Sequence, residues 1–291
     1  MPLVVISVKL VKNLDSSIVA DLVSTWLAED VGRGDVTTTA VVPPDREGRA
    51  RIEAREQAVI AGLPVAQEVF AQVGGGDLKW IPEIEDGDRA EAGSVLARLE
   101  GPLAPILVGE RTALNILQRL SAIATLTRRF ADAIDGAKAR VVDTRKTTPG
   151  LRYLEKYAVT VGGGRNHRFG LDDGVLVKDN HIMAAGSVAE ATRRAVSGAH
   201  HGLSVEVEVT DLQGLKDAIE NGADAVLLDN MTPEEVEQAV SAAAGRVLLE
   251  ASGGIDLDSV RAYADAGVDI ISVGALTHSA PAIDLAMEVE S

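Results

Sequence analysis

The chain has 291 residues, 46% of them apolar, with 28 Lys plus Arg against 44 Asp plus Glu, a formal net charge of −16 and no cysteine. Whole-chain nucleic-acid binding is excluded, because it draws on cationic neutralisation of phosphates and often on ring stacking, and aromatics are only 3%. Disulfides, thiolate metal sites and a Cys nucleophile are excluded too, and a length near the limit of a single core points to one large and one smaller domain.

Met1 to Leu14 is apolar but short, and Lys9 and Lys12 interrupt it before a signal-peptide core can form. No stretch reaches the ~20 apolar residues of a membrane span. The expectation is a cytoplasmic protein that binds neither membrane nor nucleic acid. Asp15 or Ser16 can cap an amphipathic helix to about Trp26, after which Asp30-Val-Gly-Arg-Gly-Asp35 breaks it. From Arg49 to Ile60 the residues alternate, with Ala50, Ile52 and Ala54 on one side and Arg51, Glu53 and Arg55 on the other, as in a half-buried strand. Short strands follow near Leu78 to Ile81 and Ser94 to Leu99, and a long helical pattern runs from about Pro105 to Ile134, with Leu107, Leu114, Leu117 and Leu120 on one face. This helix is read as the link between two domains.

From Arg140 the texture changes to short apolar runs separated by helical segments: Val141 to Asp143, Val175 to Lys178, Val205 to Val209, Ala225 to Asp229, Val247 to Glu250 and Asp269 to Val273. Alternating β and α with strands apolar on both faces predicts parallel βα units in an open sheet or barrel. Helices are expected over Thr232 to Ala244 and Asp256 to Ala266, with Gly222, Gly245 and Gly267 at helix C-caps.

These runs end on Asp143, Lys178, Glu208, Asp229, Glu250 and Ser272. In parallel α/β architectures substrates sit at the carboxyl ends of the strands. A strand-terminal acid can instead cap the next helix, but six polar ends together form a candidate active-site ring. Glu206 and Glu208 share one strand face, opposite three valines. Carboxylates turned into a barrel need a cation, a metal or hydroxyls; the alternative is a solvent-facing edge strand. Ser252-Gly-Gly254 and Gly274-Ala275 follow the last two strands, where exposed amides can cradle a phosphate.

The charge is uneven. Residues 144–178 hold Arg145, Lys146, Arg152, Lys156, Arg165, Arg168 and Lys178 against Glu155, Asp172 and Asp173, a local charge of 7 − 3 = +4. Clustered guanidinium groups suit carboxylate or phosphate, so the ligand should be polyanionic; the alternative is a solvated basic face.

The strings Glu29-Asp-Val-Gly-Arg-Gly-Asp-Val-Thr-Thr38, Glu110-Arg-Thr-Ala-Leu-Asn115, Asp143-Thr-Arg-Lys-Thr-Thr-Pro-Gly150, Gly162-Gly-Gly-Arg-Asn-His-Arg168, Lys178-Asp-Asn-His181, Val205-Glu-Val-Glu-Val209, Leu227-Leu-Asp-Asn230, Glu250-Ala-Ser-Gly-Gly254 and Ser272-Val-Gly-Ala275 occur in this order. Together they resemble the quinolinate phosphoribosyltransferase family, the carboxylating nicotinate-nucleotide pyrophosphorylases, over about Leu14 to Ala286. The resemblance implies a smaller N-terminal α/β sandwich-like domain, taken as residues 1–115, and an incomplete parallel α/β barrel over 116–291, with a C-terminal tail that can return to the first domain. It implies transfer of phosphoribosyl from phosphoribosyl pyrophosphate to quinolinate with decarboxylation, in NAD synthesis.

It further implies that Arg145, His167, Arg168 and Lys178 line the dicarboxylate pocket, joined by Arg111 from the neighbouring subunit of a homodimer, with dimer and hexamer both open. Thr144 and Lys146 are substrate-binding positions. Glu208 and Asp229 resemble the acids that hold ribose hydroxyls or, indirectly, donor-bound Mg2+. Ser252, Gly253, Gly254 and Gly274 resemble the 5′-phosphate cradle. Lys146, Lys178, Glu208 and Asp229 are the catalytic candidates, and no organic cofactor is implied. His167 is read as a carboxylate-binding or orienting group. Arg152 and Lys156 are second-tier candidates. The competing readings are another base on the same scaffold, a Schiff-base aldolase using Lys178 or Lys146, and a non-catalytic metabolite-binding protein.

Overall fold

The structure, a computed structural model, describes residues 13–290; the reading of Met1 to Leu14 therefore lies almost wholly outside the described residues. Helix α1 (Ser16–Val31) is capped by Asp15, whose carboxylate accepts the Ser17 and Ile18 amides. It runs five residues past the expected end at Trp26, because the polar Glu29 and Asp30 remain helical and the real stop is Gly32, at φ 54°. Helix α2 (Val36–Val41) is capped in the same way by Asp35. Strand β1 (Glu47–Ala54) buries Ala50, Ile52 and Ala54, as the alternation predicts. Next come β2 (Ala58–Val59), α3 (Leu63–Gly74), β3 (Lys79–Pro82), β4 (Arg89–Ala90), β5 (Val95–Pro102) and the long α4 (Leu103–Ala133).

The βα series begins with β6 (Arg140–Val142). After α5 (Arg152–Val161) it continues through β7 (Val175–Val177), α6 (Asp179–Ala185), α7 (Val188–Gly198), β8 (Val205–Val209), α8 (Leu212–Glu220) and β9 (Ala225–Asp229). It ends with α9 (Pro233–Ala243), β10 (Leu248–Ser252), α10 (Val260–Asp265), β11 (Ile270–Ser272) and α11 (Ala275–His278), after which β12 (Leu285–Glu290) closes the chain. Gly222, Gly245 and Gly267 each take positive φ one residue beyond a helix cap.

The chain forms two units. Of the described residues, one unit contains Arg129–Pro149 and Gly164–Ser279; the other contains 13–128, Gly150–Gly163 and 280–290. The contacts divide the two units late in α4, at Arg128/Arg129. In the second unit the sheet order is β12-β1-β5-β3, antiparallel throughout, with β2 and β4 as a separate pair. The tail thus returns to β1. Helix α5 belongs here because Arg119 grips the buried Glu155 at 2.8 Å and the Tyr157 hydroxyl donates to Asp86 at 2.8 Å.

In the other unit six strands are parallel, in the order β6-β11-β10-β9-β8-β7. The buried faces are apolar, with Val205, Val207, Val209, Val226 and Ile271 among the core residues. Beyond β6 lies only an isolated parallel bridge from Val142 to Arg165, and among the described residues no ladder joins β6 to β7. The barrel is incomplete. No helix among the described residues is long and apolar enough to cross a membrane.

Candidate active site

A cavity of about 760 Å³ opens within the parallel unit at the carboxyl ends of its strands. Thr144, Arg145, Lys146, His167, Arg168, Lys178, Glu208, Asp229, Ser252, Gly253, Gly254 and Gly274 all line it. Arg111 does not: it lies on α4 in the other unit, well exposed, 3.8 Å from Glu110. Arg152 and Lys156 are on α5, also in that unit, and Lys156 is fully buried there. The cationic island therefore divides between the two units, because α5 carries part of it.

Five of the six strand-end residues line the cavity; Asp143 does not. Its buried carboxylate instead accepts the Asn166 side-chain amide at 2.6 Å and the His167 backbone N–H at 2.9 Å, which pins the loop that carries His167 and Arg168. The acids at the ends of β8 and β9 are not helix caps: Asp211 caps α8 and Thr232 caps α9. Glu208 and Asp229 are thus left to the cavity, while Val205, Val207 and Val209 turn to the core.

Arg145 and Arg168 carry the positive side. The Arg145 Nε is buried without a hydrogen-bond partner, a state that a donor leaves when an anion arrives. Burial, and then the Arg145 charge, hold the Arg168 guanidinium below its ordinary value. Two cations forced together in this way call for a ligand of opposite charge. Lys178 Nζ lies 2.6 Å from Glu208 Oε2, which places a cation and a carboxylate side by side. Asp229 accepts the Asn230 side-chain amide at 2.7 Å.

The glycines form a loop cradle. Gly253 has φ 100°, and a Cβ there would run into the Asn230 side chain and lie 2.9 Å from its backbone nitrogen, so no other residue fits. Gly254, at φ 61°, faces open space. Gly274 has both His278 Nε2 and Lys146 Cδ at 3.2 Å from the place a Cβ would take. The helix expected from Asp256 begins only at Val260, because Asp256 and Ser259 close a capped turn first. A phosphate held at Ser252-Gly-Gly254 would meet loop amides rather than the N-terminus of α10.

The sequence reading missed His278, Asn230 and Asp256, which also line the cavity. His278 was within reach of the pattern: four residues past Gly274 on a helical turn, it stands over that glycine.

The quinolinate phosphoribosyl transferase family models match residues 123–288 for the C-terminal domain and 35–121 for the N-terminal domain. The chain belongs to the quinolinate phosphoribosyltransferase family. A probable carboxylating nicotinate-nucleotide pyrophosphorylase of Bacillus subtilis (strain 168) is 43% identical over 268 residues, 92% of each chain. The carboxylating nicotinate-nucleotide pyrophosphorylase of Mycobacterium leprae (strain TN) is 43% identical over 274 residues, 92% of this chain and 96% of that one. Among solved structures, the nicotinate-nucleotide pyrophosphorylase from Francisella tularensis superposes with a TM-score of 0.91 at 41% identity, over 96% of this chain and 99% of that one. The quinolinate phosphoribosyltransferase family therefore accounts for both textures of the sequence and for the open barrel.

Proposed function

We propose that this chain transfers the phosphoribosyl group of phosphoribosyl pyrophosphate to quinolinate and releases CO2, giving nicotinate mononucleotide and pyrophosphate in NAD biosynthesis. Family membership supports the reading. The observation that carries it is one cavity with Arg145, Arg168 and Lys178 beside Glu208 and Asp229. Quinolinate carries two adjacent carboxylates that repel each other and need several cations; a phosphorylated sugar whose anomeric carbon turns positive needs carboxylates.

In this reading the pyridine nitrogen attacks the anomeric carbon as the bond to pyrophosphate breaks, and the electron pair leaves with the pyrophosphate. Arg145, Arg168 and Lys178 hold the two carboxylates, and Lys146 faces the departing anion. Glu208 and Asp229 stabilise the positive charge on the sugar, and Ser252, Gly253, Gly254 and Gly274 hold its 5′-phosphate. Once the ring nitrogen is quaternary, the carboxylate next to it departs as CO2, leaving its electron pair on a carbon beside the cation, and a proton from water completes the product. No separate base is needed. Glu208 and Asp229 are oxygen donors of the kind that hold Mg2+. Mg2+ entering with the donor would offset the charge of the leaving pyrophosphate.

The rival readings fit less well. A monocarboxylate such as nicotinate needs fewer cations than converge here. A Schiff-base aldolase acting through Lys178 needs a free amine, whereas that Nζ is ion-paired to Glu208. Simple capture of an anion needs no carboxylates beside the cations. One-for-one release of CO2 with nucleotide tests the assignment.

The exposed Arg111 completes the pocket of a neighbouring copy in a homodimer. Mixing R111A with K178A protein, each inactive alone, is expected to recover about a quarter of native activity at statistical exchange. No recovery after verified subunit exchange would contradict the shared site.

A further inference from the structure

We propose that Glu250 is a positioning residue for the substrate carboxylates, acting through Glu206 and His167 on Arg168; the assignment rests on the quinolinate reading above. Glu206, Glu250 and His167 each bring one atom into a cluster whose members all lie within 4.8 Å of one another. His167 Nε2 is 2.9 Å from Glu206 Oε2 and 3.5 Å from Glu250 Oε2. Glu250 is 1% exposed, and its carboxyl lies against Glu206, His167 and Ser272.

The hydrogen bonds locate the protons. The Arg168 backbone N–H donates to His167 Nδ1 at 2.8 Å, so Nδ1 is an acceptor and the ring proton sits on Nε2, facing Glu206. Both ring nitrogens are then engaged within the protein, which gives His167 an orienting role. An Nε2 that bears its proton has no lone pair for a metal ion, so the His-Glu-Glu composition does not make this a cation site.

Two carboxylates this close and this buried do not both stay ionised. Burial first, and the Glu206 charge second, push the Glu250 carboxyl up to about 8. Glu250 keeps its proton and can donate it to Glu206, which leaves the Glu206 carboxylate to receive His167 Nε2–H. The ring is fixed in one tautomer and one orientation, and its Nδ1 holds the Arg168 amide. Asp143 fixes the same loop from the other side through the His167 amide, and Arg168 Nη1 reaches the Gly174 carbonyl at 2.9 Å. Arg168 thereby presents its guanidinium from a backbone that is tied at both residues.

The test compares KM and kcat for both substrates in the native enzyme, E250A and E250Q. Glutamine keeps the shape and an N–H donor toward Glu206 and cannot ionise. E250A is expected to raise the KM for quinolinate at least about tenfold, the effect of one lost buried hydrogen bond, with the KM for phosphoribosyl pyrophosphate within about twofold. E250Q is expected to restore most of that loss. An unchanged quinolinate KM in E250A, a joint rise of both KMs, or an E250Q as impaired as E250A would each overturn the assignment. Should E250A fail to fold, E206Q carries the same test: an amide offers one acceptor where His167 and Glu250 supply two donors, so a selective rise in quinolinate KM is expected, and native behaviour would overturn the assignment. A native enzyme that does not turn over quinolinate overturns the functional reading and this assignment together. A native enzyme that does, with E250A unaffected, overturns the assignment alone.

Discussion

Arg168→Ala is expected to raise the KM for quinolinate at least about 30-fold, the equivalent of about 2 kcal/mol for one truncated partner of a buried charge pair. The kcat at saturating quinolinate should fall far less. The reason lies in how the residue is held: its guanidinium sits beside Arg145 in a partly buried wall, pushed below its ordinary value by burial and by that neighbour. Like charges placed together without a ligand contribute little to the fold beyond the hydrogen bond from Arg168 Nη1 to the Gly174 carbonyl. The variant should therefore lose quinolinate affinity while its Tm stays within a few degrees of native. Arg168→Lys should not rescue it, because an ammonium lacks the planar fork that meets a carboxylate with two parallel hydrogen bonds. A 30-fold loss of kcat with quinolinate KM unchanged would move Arg168 out of the dicarboxylate pocket.

Asp229→Ala should do the reverse. Asp229 ends β9, is not needed as a cap for α9, and holds its carboxylate in the cavity with the Asn230 amide on one oxygen. A fixed negative charge opposite a developing positive one acts on the transition state more than on the bound substrates. Its loss is expected to lower kcat by about 10²- to 10³-fold, as removal of a single preorganised electrostatic group does elsewhere, with the KM for quinolinate within about threefold. Asp229→Asn keeps the shape and should be nearly as slow. A rise in quinolinate KM with kcat intact would exchange the roles of Asp229 and Arg168.

How much of this was legible in the sequence depended on whether the cause was local. The alternation of β1, the βα rhythm after Arg140 and the glycine stops are local, and they stand where the pattern puts them. The strand ends converged as expected for Lys178, Glu208, Asp229, Glu250 and Ser272. Asp143 did not join them, since nothing in its neighbours shows that two donors from the 166–167 loop would claim its carboxylate. The partners of Glu250 were also hidden. Glu206 and Glu250 stand on strands separated by β9, and their side chains meet at His167 only in the folded sheet. Arg152 and Lys156 read as part of one cationic island because charge was counted along the chain, whereas α5 belongs to the other unit.

The most direct measurement is the ratio of products from quinolinate labelled in the carboxylate next to the ring nitrogen, incubated with phosphoribosyl pyrophosphate and Mg2+. One labelled CO2 is expected for each nicotinate mononucleotide and each pyrophosphate formed, with nicotinate a far poorer acceptor under the same conditions. Nucleotide formed without CO2, or turnover of nicotinate equal to or better than that of quinolinate, would contradict the account.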